Sequence, residues 1–459
     1  MNATRKMMEF TLGLKYSDLP DDVKAYAKTL LADSLACAVG AVDTPLGGSV
    51  LNLAMLLGGN KISSVPGTDM VTSPALAAFC TATLANALDY DDTGHFGHPG
   101  ATVIPAILAV AGMKRVSGED FLTAMVAGYE AVDRAARAIQ PSLERYDQIH
   151  GSGTLQILGS VTACAKLLDL TPEETLNAMG IACASAPVAH AGKFGWEDKS
   201  ITSVKDNVAL PAELGLRAVL LAREGYEGSE SILDGPRGFW VMAGSDRCDS
   251  AILEDFSAFN ILNVAVKPYP CCRWIHTGLR ALETLMREEG FDAEDIQSLD
   301  VATTPPVASR FGRLTARTFI DMEFSTPLTM ALMLRRIPRP EWFREKHWKA
   351  PETERLAAMI SLRGDNELMD LFVQLGREAS HIPTRVTATL RDGRKASYLC
   401  DTALGTPRFP LTEEAHREKM DGLLLPRLGR EKTDQFYTAV TRLETLKDPG
   451  DLARMTSLA

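Results

Sequence analysis

The sequence lacks the features that define several large classes of protein. Its eight cysteines are scattered over 459 residues without a Cys-x-x-Cys pair. Neither a disulfide framework nor a zinc ribbon has support, and the thiols are expected to be reduced. Apolar stretches such as Val103 to Met113 fall short of the ~20 residues of a membrane helix, and the amino terminus shows no signal-peptide core. These absences predict a cytoplasmic protein without a membrane segment.

Positive charge is also scarce. The chain carries 48 Lys and Arg against 59 Asp and Glu, a net charge of −11. Such a surface repels phosphate backbones, so we expect no nucleic-acid partner. No Gly-x-Gly-x-x-Gly follows a predicted strand and no Gly-x-x-x-x-Gly-Lys-[Ser/Thr] occurs, so a nucleotide cofactor has no sequence support. An anionic substrate would need a local cationic pocket.

Helical periodicity dominates roughly the first 265 residues. Between Asp21 and Gly40, residues of one face recur at steps of three or four, and Gly40 fits a C-terminal stop. Ser73-Pro74 predicts a second helix with Ser73 as N-cap. Thr171 and Glu174 have the spacing of a capping box, which predicts another helix start.

The pattern changes after residue 267. Thr384–Leu390 alternates apolar and polar residues, and Asp392-Gly393 then predicts a hairpin turn into Lys395–Cys400. Helical periods lie between the predicted strands, and the last ~50 residues are helical again. We therefore predict a mainly α fold with a smaller α+β domain. The expected division is a discontinuous all-helical domain, 1–265 and 403–459, and an α+β domain, 266–402.

The densest polar cluster runs from Asp89 to Gly100. Three carboxylates and two of the eight histidines lie between Asp89 and His98. On a helix end Asp89 and Thr93 would share a face, and a carboxylate can orient a histidine for proton transfer. A capped polar loop is an alternative. A metal site is another, but no tight motif such as His-x-x-x-His supports it.

Two further segments could bind an anion. His150 precedes Gly151-Ser152-Gly153 at a predicted helix start, where backbone N–H groups can face an anion and His150 could act as acid or base. A flexible turn with an exposed histidine is the alternative. Lys193, Lys199 and Lys205 could neutralise substrate carboxylates, although any single lysine could equally belong to the surface.

The last polar segment is Lys267 to His276. Its two prolines fix a rigid lead-in to a helix. Arg273 could bind a carboxylate through two parallel hydrogen bonds, and His276 lies one helical turn further on. Cys271 and Cys272 are interpreted as buried thiols. Four other histidines lack such surroundings and are expected to be structural or at the surface: His190, His347, His381 and His416.

Together these segments resemble the motifs of the MmgE/PrpD family, which includes 2-methylcitrate dehydratase, cis-aconitate decarboxylase and iminodisuccinate epimerase. The matches occur in the family's order between about residues 20 and 400. The segments that carry the resemblance are Ala87–Thr93, His98–Pro105, Ile149–Thr154 with Ala165–Leu168, Leu233–Phe239 and Lys267–His276.

The resemblance implies a discontinuous helical domain, an α+β lid and an active site between them. It also implies a homodimer that needs no metal or organic cofactor. The catalytic residues that match the family are Asp89, Thr93, His98, His150, Lys205 and His276, and the expected substrate-binding residues are Lys267 and Arg273.

Three positions depart from the family pattern. His98 follows Thr93 one residue too soon, and Asp206-Asn207-Val208 replaces the usual Gly/Ala-rich run after the lysine. Leu328 stands where the family commonly has tyrosine. The loss of that hydroxyl removes an acid or hydrogen bond that dehydration or decarboxylation could use, which makes an isomerase or epimerase more plausible.

The family's shared reaction begins with removal of a proton next to a carboxylate. We expect His98 or His150 to be the base, with Asp89 orienting it, and Lys205 and His276 to bind the substrate or protonate the leaving group. A 2-methylcitrate dehydratase-like lyase acting on a small di- or tricarboxylate is the first expectation. An epimerase, a decarboxylase and a non-catalytic ligand-binding paralogue are the alternatives.

Overall fold

The computed structural model describes residues 2–95, 97–150, 152–191 and 201–457. The side chains of Asp147, His150, Ser152 and Asp206 are outside this description. Within it the chain is mainly helical, with a four-stranded sheet in its carboxyl-terminal part and two minimal antiparallel pairs, which confirms the predicted fold class.

Thirteen helices precede residue 255 in the described chain. They are α1 (Ala3–Gly13), α2 (Asp21–Ala41), α3 (Pro45–Leu57), α4 (Pro74–Asn86), α5 (Pro99–Met113), α6 (Gly118–Ala138), α7 (Leu143–Gln148), α8 (Ser152–Leu155), α9 (Ile157–Leu167), α10 (Pro172–Ser185), α11 (Asp206–Arg223), α12 (Phe239–Met242) and α13 (Ser250–Glu254).

Nine helices follow, and all but α21 have fewer than fifteen residues. They are α14 (His276–Glu289), α15 (Pro305–Arg310), α16 (Phe319–Glu323), α17 (Thr326–Leu334), α18 (Glu345–Trp348), α19 (Pro351–Ala357), α20 (Asn366–Gln374), α21 (Glu413–Thr441) and α22 (Asp451–Met455).

The predicted helix starts differ in how they are capped. At α10 Thr171 Oγ1 accepts a hydrogen bond from the Glu174 backbone N–H, and the Glu174 side chain accepts one from Thr171 N. This confirms the capping box. Ser73 occupies the N-cap position of α4, but its side chain makes no capping hydrogen bond. Pro74 alone marks that start, because its fixed φ suits the first helical position.

Gly40 does not end α2, which continues to Ala41. A Cβ atom at residue 40 would lie 2.6 Å from Leu423 Cδ2 of α21. The glycine therefore allows α21 to cross close to α2, so the predicted helix stop was wrong. The carboxyl-terminal helix returns to pack on the first long helix of the chain.

A four-stranded sheet lies between residues 296 and 400. Its strand order is β6-β5-β7-β8, with β5 and β6 parallel and the other neighbours antiparallel. The buried and part-exposed residues of β7 alternate as predicted, and Gly393 in the predicted turn has φ 92°. The strands are β5 (Ile296–Thr303), β6 (Ile360–Gly364), β7 (Thr384–Leu390) and β8 (Lys395–Cys400).

Two minimal antiparallel pairs lie in the helical part of the chain. One joins β1 (Ser63–Ser64) to β2 (Val71–Thr72). The other joins β3 (Ile149–His150) to β4 (His190–Ala191), and it pairs the backbones of His150 and His190. This second pair brings two histidine-bearing segments, 40 positions apart in the sequence, side by side.

No single helix in the described chain is both long enough and apolar enough to cross a bilayer. Taken together, α2 and α3 pass a test of length and composition, but the two helices are bent by 88° relative to each other.

Candidate active site

A cavity opens between the helical part of the chain and the segment that follows residue 267. Its wall combines residues of the loop between α4 and α5, the approach to α11, and the loops around α14, α15 and α16. The polar residues that line it are Asn86, Asp89, Thr93, His98, Gln156, His190, Lys205, Asn207, Ser245, Cys272, Arg273 and Arg310.

Asp89 lies at the centre of the polar wall. Its φ of 48° is in the left-handed region, which aspartate tolerates better than most residues. Lys267 Nζ donates to Asp89 Oδ1 and to the Asp89 carbonyl, both at 2.9 Å, and Lys205 Nζ lies 3.7 Å from Oδ1. Burial opposes ionisation of Asp89, but the two ammonium groups outweigh it and hold the pKa of Asp89 well below its usual range.

Lys205 bridges Asp89 to a second buried carboxyl group. Lys205 Nζ is 3.1 Å from Glu323 Oε2, and both side chains are almost fully buried. Burial raises the pKa of Glu323 to about 8, because the attraction of Lys205 offsets only part of the desolvation. Glu323 is therefore mostly protonated at neutral pH. Burial disfavours charge on Lys205, but the Asp89 carboxylate raises its pKa overall, so the lysine stays charged.

His98 is oriented by Asp91. His98 Nδ1 lies 3.0 Å from Asp91 Oδ2, and Asn86 Nδ2 donates to Asp91 Oδ1 at 2.9 Å. His98 Nε2 is 3.8 Å from Asp89 Oδ1. An Nδ1–H that donates to Asp91 leaves the Nε2 lone pair available to accept a proton. The sequence assigned the orienting role to Asp89, whereas the shorter contact belongs to Asp91.

Gln156 was not identified from the sequence. Its Oε1 accepts a hydrogen bond from the His98 backbone N–H, and its Nε2 donates to the Asn207 carbonyl, both at 2.8 Å. The side chain thus connects the His98 loop to the residues just after Lys205. A polar residue in the apolar run from Leu155 to Leu158 is the signal that could have indicated this role.

Asp92 accepts a hydrogen bond from the first turn of α5. Its Oδ1 accepts from Gly100 N at 2.9 Å, and Tyr129 Oη donates to Oδ2 at 2.6 Å. A Cβ at residue 100 would lie 2.6 Å from both side chains, so only glycine fits there. Burial raises the pKa of Asp92 to about 7. Asp92 is in contact with the helix start and does not line the cavity.

Thr93 joins the loop that carries Asp89 and His98 to the segment that carries Lys267. Its backbone N–H donates to the Ala265 carbonyl at 2.9 Å, and Ala265 N donates back at 2.8 Å. Thr93 Oγ1 donates to the Gly97 carbonyl at 3.1 Å. These bonds bring Asp89 and Lys267 together although 178 positions separate them.

Arg273 presents an unpaired nitrogen to a buried environment. Its Nε donates to Ser380 Oγ at 3.0 Å and its Nη1 to the Leu404 carbonyl at 2.9 Å. Among the described residues, the buried Nη2 has no hydrogen-bond partner. Burial lowers the pKa of Arg273 to about 10, which still leaves it charged at neutral pH. The arrangement suits a substrate carboxylate.

His276 and Lys267 lie behind the wall rather than on it. His276 is fully buried, and its Nε2 is 3.1 Å from the Cys271 carbonyl while its Nδ1 is 3.1 Å from Arg273 Nη1. This network assigns the ring proton to Nε2. Burial and the Arg273 charge hold the pKa of His276 well below its usual range. His276 contacts Arg273 and Lys267 contacts Asp89.

The two cysteines differ in their access to the cavity. Cys271 is fully buried, whereas Cys272 lies on the cavity wall and is partly exposed. Burial raises the pKa of Cys272 to about 12, so it is a neutral thiol at physiological pH. The interpretation as buried thiols fits Cys271 better than Cys272.

The His150 side chain lies outside the described residues, as do Lys193 and Lys199. The strand partner of His150, His190, lines the cavity. Its buried Nδ1 has no hydrogen-bond partner among the described residues, and burial lowers its pKa. The sequence grouped His190 with structural or surface histidines, because nothing near it in the sequence indicates the β3–β4 pairing.

Asp89, Asp91 and His98 bring three potential metal-ligand atoms within 4.8 Å of one another. The same Asp89 Oδ1 atom contacts Lys267 and lies near Lys205. A divalent cation there would have to displace or face two ammonium groups. The charges of the described residues therefore suit a proton and an anionic substrate better than a metal ion.

Leu328 lies in the first turn of α17 and is fully buried. It is not among the described residues that line the cavity, where Phe311 and Phe324 are found. The change from the family's usual tyrosine therefore does not alter the wall of this cavity, and its argument for an isomerase loses force.

Comparison with known proteins places this geometry in a family. The sequence matches the model of the MmgE/PrpD N-terminal domain over residues 5–248. It matches the model of the MmgE/PrpD C-terminal domain over residues 269–445. The two ranges together cover most of the chain, and the second begins at residue 269, inside the Lys267–His276 segment.

Several characterised relatives are similar at low identity. A cis-aconitate decarboxylase from Mus musculus is 26% identical over 466 residues, which cover 96% of this chain and 91% of the relative. One from Aspergillus terreus is 26% identical and covers 61% of this chain and 60% of the relative. A 2-methylcitrate dehydratase from Escherichia coli (strain K12) is 26% identical, with 60% and 59% covered.

Decarboxylases and dehydratases are both lyases, so the expected enzyme class is confirmed. The motif resemblance seen in the sequence is confirmed by the two domain matches as well. With its cavity formed where those two matched regions meet, the chain belongs to the MmgE/PrpD family.

Proposed function

We propose that this protein is a lyase of small di- or tricarboxylates that begins its reaction by removing a proton next to a carboxylate. One observation carries the proposal: a histidine held by a carboxylate, a charged lysine and an arginine with an unpaired nitrogen line one cavity. An α-proton is weakly acidic, so the enzyme must supply both a base and positive charge for the developing carbanion.

The positive charge comes from Lys205 and Arg273. Arg273 Nη2 would donate to the substrate carboxylate next to the reacting carbon, because no group in the described part of the chain accepts a hydrogen bond from it. Lys205 would stabilise the enolate oxygen, since it stays charged and is held in place between Asp89 and Glu323. Neither role requires a metal or an organic cofactor.

His98 Nε2 is our candidate base. Asp91 accepts the Nδ1–H and would stabilise the imidazolium that forms when Nε2 takes the proton. Asp89 lies 3.8 Å from Nε2 and contributes negative charge on the same side. His150 stays a second candidate. Thr93 and Lys267 act as positioning residues for Asp89, and His276 acts as a positioning residue for Arg273.

Dehydration of a hydroxy di- or tricarboxylate is the first candidate for the overall reaction. Decarboxylation is the second, and the alignment with the mouse decarboxylase over nearly the whole chain favours it. An epimerase or a non-catalytic paralogue would share the same cavity. All four begin with the same bound carboxylate. A dehydratase then removes a proton and a hydroxide as water, a decarboxylase releases carbon dioxide and adds a proton to the carbon that lost it, an epimerase returns the proton on the other face, and a paralogue releases the acid unchanged.

Proton NMR in deuterated water separates these outcomes. The protein would be incubated with a panel of hydroxy di- and tricarboxylates and their unsaturated counterparts. Loss of water would assign a dehydratase, and loss of carbon dioxide would assign a decarboxylase. Deuterium incorporation without net loss would assign an epimerase. A panel in which no acid changes, while several bind, would overturn the proposal of a lyase.

The domain division also stays a proposal. We infer that residues 266–402 form a lid over a helical domain made of 1–265 and 403–459. The contact of α21 with α2 and the confinement of the four-stranded sheet to residues 296–400 support this division. A cytoplasmic location and the absence of a nucleic-acid partner rest on the composition alone.

We further propose a homodimer. Four large apolar residues near the end of α3 are exposed, namely Leu53, Met55, Leu56 and Leu57, and such a patch is typical of a protein–protein contact. Light scattering after size exclusion tests this. We expect a dimeric parent, a monomeric Leu56→Lys variant and a dimeric Leu314→Lys control, because Leu314 is exposed elsewhere. A monomeric parent would contradict it.

A further inference from the structure

We propose that the substrate carries a hydrophobic substituent of several carbon atoms, which the cavity holds against an aromatic wall while its polar end holds the carboxylate. This inference rests on the proposed function and narrows the substrate class. It departs from an all-polar citrate-like acid. The cavity has a polar end at Asp89 and Lys205 and an aromatic end, where Arg310 lies over the Trp274 ring.

The aromatic wall is continuous. The ring centroids of Tyr146 and Trp274 are 6.0 Å apart, those of Trp274 and Phe311 5.9 Å, and those of Phe311 and Phe324 6.0 Å. All four residues line the cavity. The row ends at the polar cluster, since Lys205 Nζ lies 5.8 Å from the Phe324 ring centroid. A molecule held at Lys205 therefore has an aromatic surface beside it.

Aliphatic residues from the helical part of the chain add to this apolar lining. Ile149 and Ala189 both pack closely on Gly244, since a Cβ atom at residue 244 would lie 3.0 Å from Ile149 Cδ1 and 3.3 Å from Ala189 Cβ. The absence of a side chain at Gly244 therefore allows Ile149 its position on the wall. The aliphatic residues that line the cavity are Ala136, Ile139, Ile149, Leu155, Val204 and Ala243.

The positively charged side chains on the described cavity wall are few, and most of them already contact other protein groups. Lys205 is shared between Asp89 and Glu323. Arg273 offers its buried Nη2, and Arg310 lies 5.8 Å over the Trp274 ring. Arg310 can pair with one carboxylate there, but a carboxylate placed on the rings themselves loses hydration at a cost. An alkyl or aryl group there gains affinity instead.

Binding of a graded series of unreactive dicarboxylates tests this. Succinate, 2-methylsuccinate, 2-butylsuccinate and 2-phenylsuccinate share one head group and differ only in apolar size, so calorimetry on the full chain isolates the substituent. We expect affinity to rise about fourfold for each buried methylene group. Equal affinities across the series, or weaker binding of the larger members, would overturn the inference.

A matched pair of variants locates the apolar end. Ile149 is half-buried on the cavity wall, whereas Leu143 is exposed on the same segment and does not line the cavity. We expect Ile149→Asn to lose most of the gain in affinity that the parent shows from succinate to 2-butylsuccinate. Leu143→Asn should keep the whole gain. An unchanged gain in Ile149→Asn would overturn the placement of the substituent.

The two proposals fail in different ways. A rising affinity across the series combined with no turnover of any candidate acid would overturn the lyase and keep the amphipathic ligand. Turnover of an all-polar acid combined with no rise in affinity would keep the lyase and overturn the hydrophobic substituent.

Discussion

Two buried aspartates of this protein each contact a buried lysine, but only Asp89 lines the cavity of the candidate active site. Asp89 contacts Lys267 and Lys205, and it lines the cavity. Asp33 of α2 lies 2.6 Å from Lys419 Nζ and 3.2 Å from His416 Nε2, both on α21. Neither Asp33 nor its two partners line the cavity in the described chain.

The comparison teaches that burial and ion pairing do not identify an active site. In both clusters the lysines outweigh the desolvation and lower the pKa of the aspartate. What differs is access: Asp89 shares its cavity with His98, whose Nε2 is 3.8 Å away, and with Arg273, whose Nη2 has no hydrogen-bond partner among the described residues. The Asp33 cluster is structural, and Lys419 Nζ also donates to the Tyr90 carbonyl at 2.6 Å.

The largest effect is expected at His98. The change His98→Gln keeps hydrogen bonding but removes proton transfer, which typically contributes roughly 10²–10⁴-fold. We expect kcat to fall by about that factor while thermal melting stays near the parent value. Steady-state kinetics and a melting curve measure both.

The controls for this experiment follow from the structure. His416→Gln is unsuitable, because His416 contacts buried Asp33 and its loss would lower stability; the sequence did not indicate this contact. His347 pairs with Glu341 away from the cavity, so His347→Gln should retain the parent rate. If His98→Gln also retained it and His150→Gln lost activity, His150 would be the base.

The largest change in stability is expected in the cluster of Asp33, His416 and Lys419. Lys419→Met would leave the buried Asp33 carboxylate with His416 alone and lower the free energy of unfolding by about 3–5 kcal/mol. Activity per folded molecule should stay within tenfold of the parent. Urea titration followed by assays of the folded fraction tests both expectations.

A double variant shows whether the charge pair is the cause. Asp33→Asn combined with Lys419→Met removes both charges and should recover part of the lost stability, because no unpaired charge remains buried. A double variant as unstable as Lys419→Met would show that packing of the lysine stem, not charge, is responsible.

Lys205 should have the next effect. Lys205→Gln removes the positive charge that faces the substrate, and loss of such a group typically costs roughly 10²–10³-fold in rate. We expect the loss mainly in kcat rather than in KM, because the charge develops in the transition state. Exposed Lys346 provides the control variant Lys346→Gln. A parent-like rate for Lys205→Gln would remove it from the mechanism.

Glu323 should make stability depend on pH. Its folded pKa of about 8 is above the ordinary 4.5, so the folded state holds this proton more tightly than the unfolded state between those values. The contribution is fully present below about pH 4.5 and is lost as pH rises through about 8. The slope is at most about 1.4 kcal/mol per pH unit.

Melting curves between pH 5 and 8 test this sign. The parent should lose stability relative to Glu323→Gln as pH rises, since the amide cannot ionise. Asp92, whose pKa is also raised, is present in both proteins and cancels in the comparison. Parallel curves would mean that Glu323 is already ionised at pH 5.

The smallest effect is expected on removal of metal ions. Because Asp89 already contacts an ammonium group, exhaustive treatment with EDTA should leave kcat unchanged. Activity that disappears and returns with one divalent ion would assign Asp89, Asp91 and His98 as ligands and overturn the assignment of His98 as the base.

The sequence predicted the elements whose signals are local. The alternation of β7 and the turn at Gly393 were recognised because each depends on neighbouring residues. Strand β6 has five residues and pairs in parallel with a strand some 60 positions earlier, and β3 and β4 have two residues each. Short strands with distant partners leave little periodicity to detect.

The candidate site was likewise predictable only where its signals are local in the sequence. The residue types of the Asp89–His98 loop indicated acid–base chemistry, but the division of roles between Asp89 and Asp91 depends on a left-handed φ at Asp89 that no periodicity encodes. The roles of Gln156, His190 and the aromatic wall depend on contacts between segments far apart in sequence. Such contacts exist only once the chain has folded.

The hydrogen bond from Lys419 to the Tyr90 carbonyl has a consequence for biosynthesis. These two residues are 329 positions apart, so the ribosome must synthesise Lys419 of α21 before this hydrogen bond to the Asp89–His98 loop can form. Contacts so distant in sequence slow folding and prolong exposure of apolar surface. A nascent chain interrupted before α21 would leave α2 uncovered at Gly40, and it would be a ready substrate for chaperones and proteases.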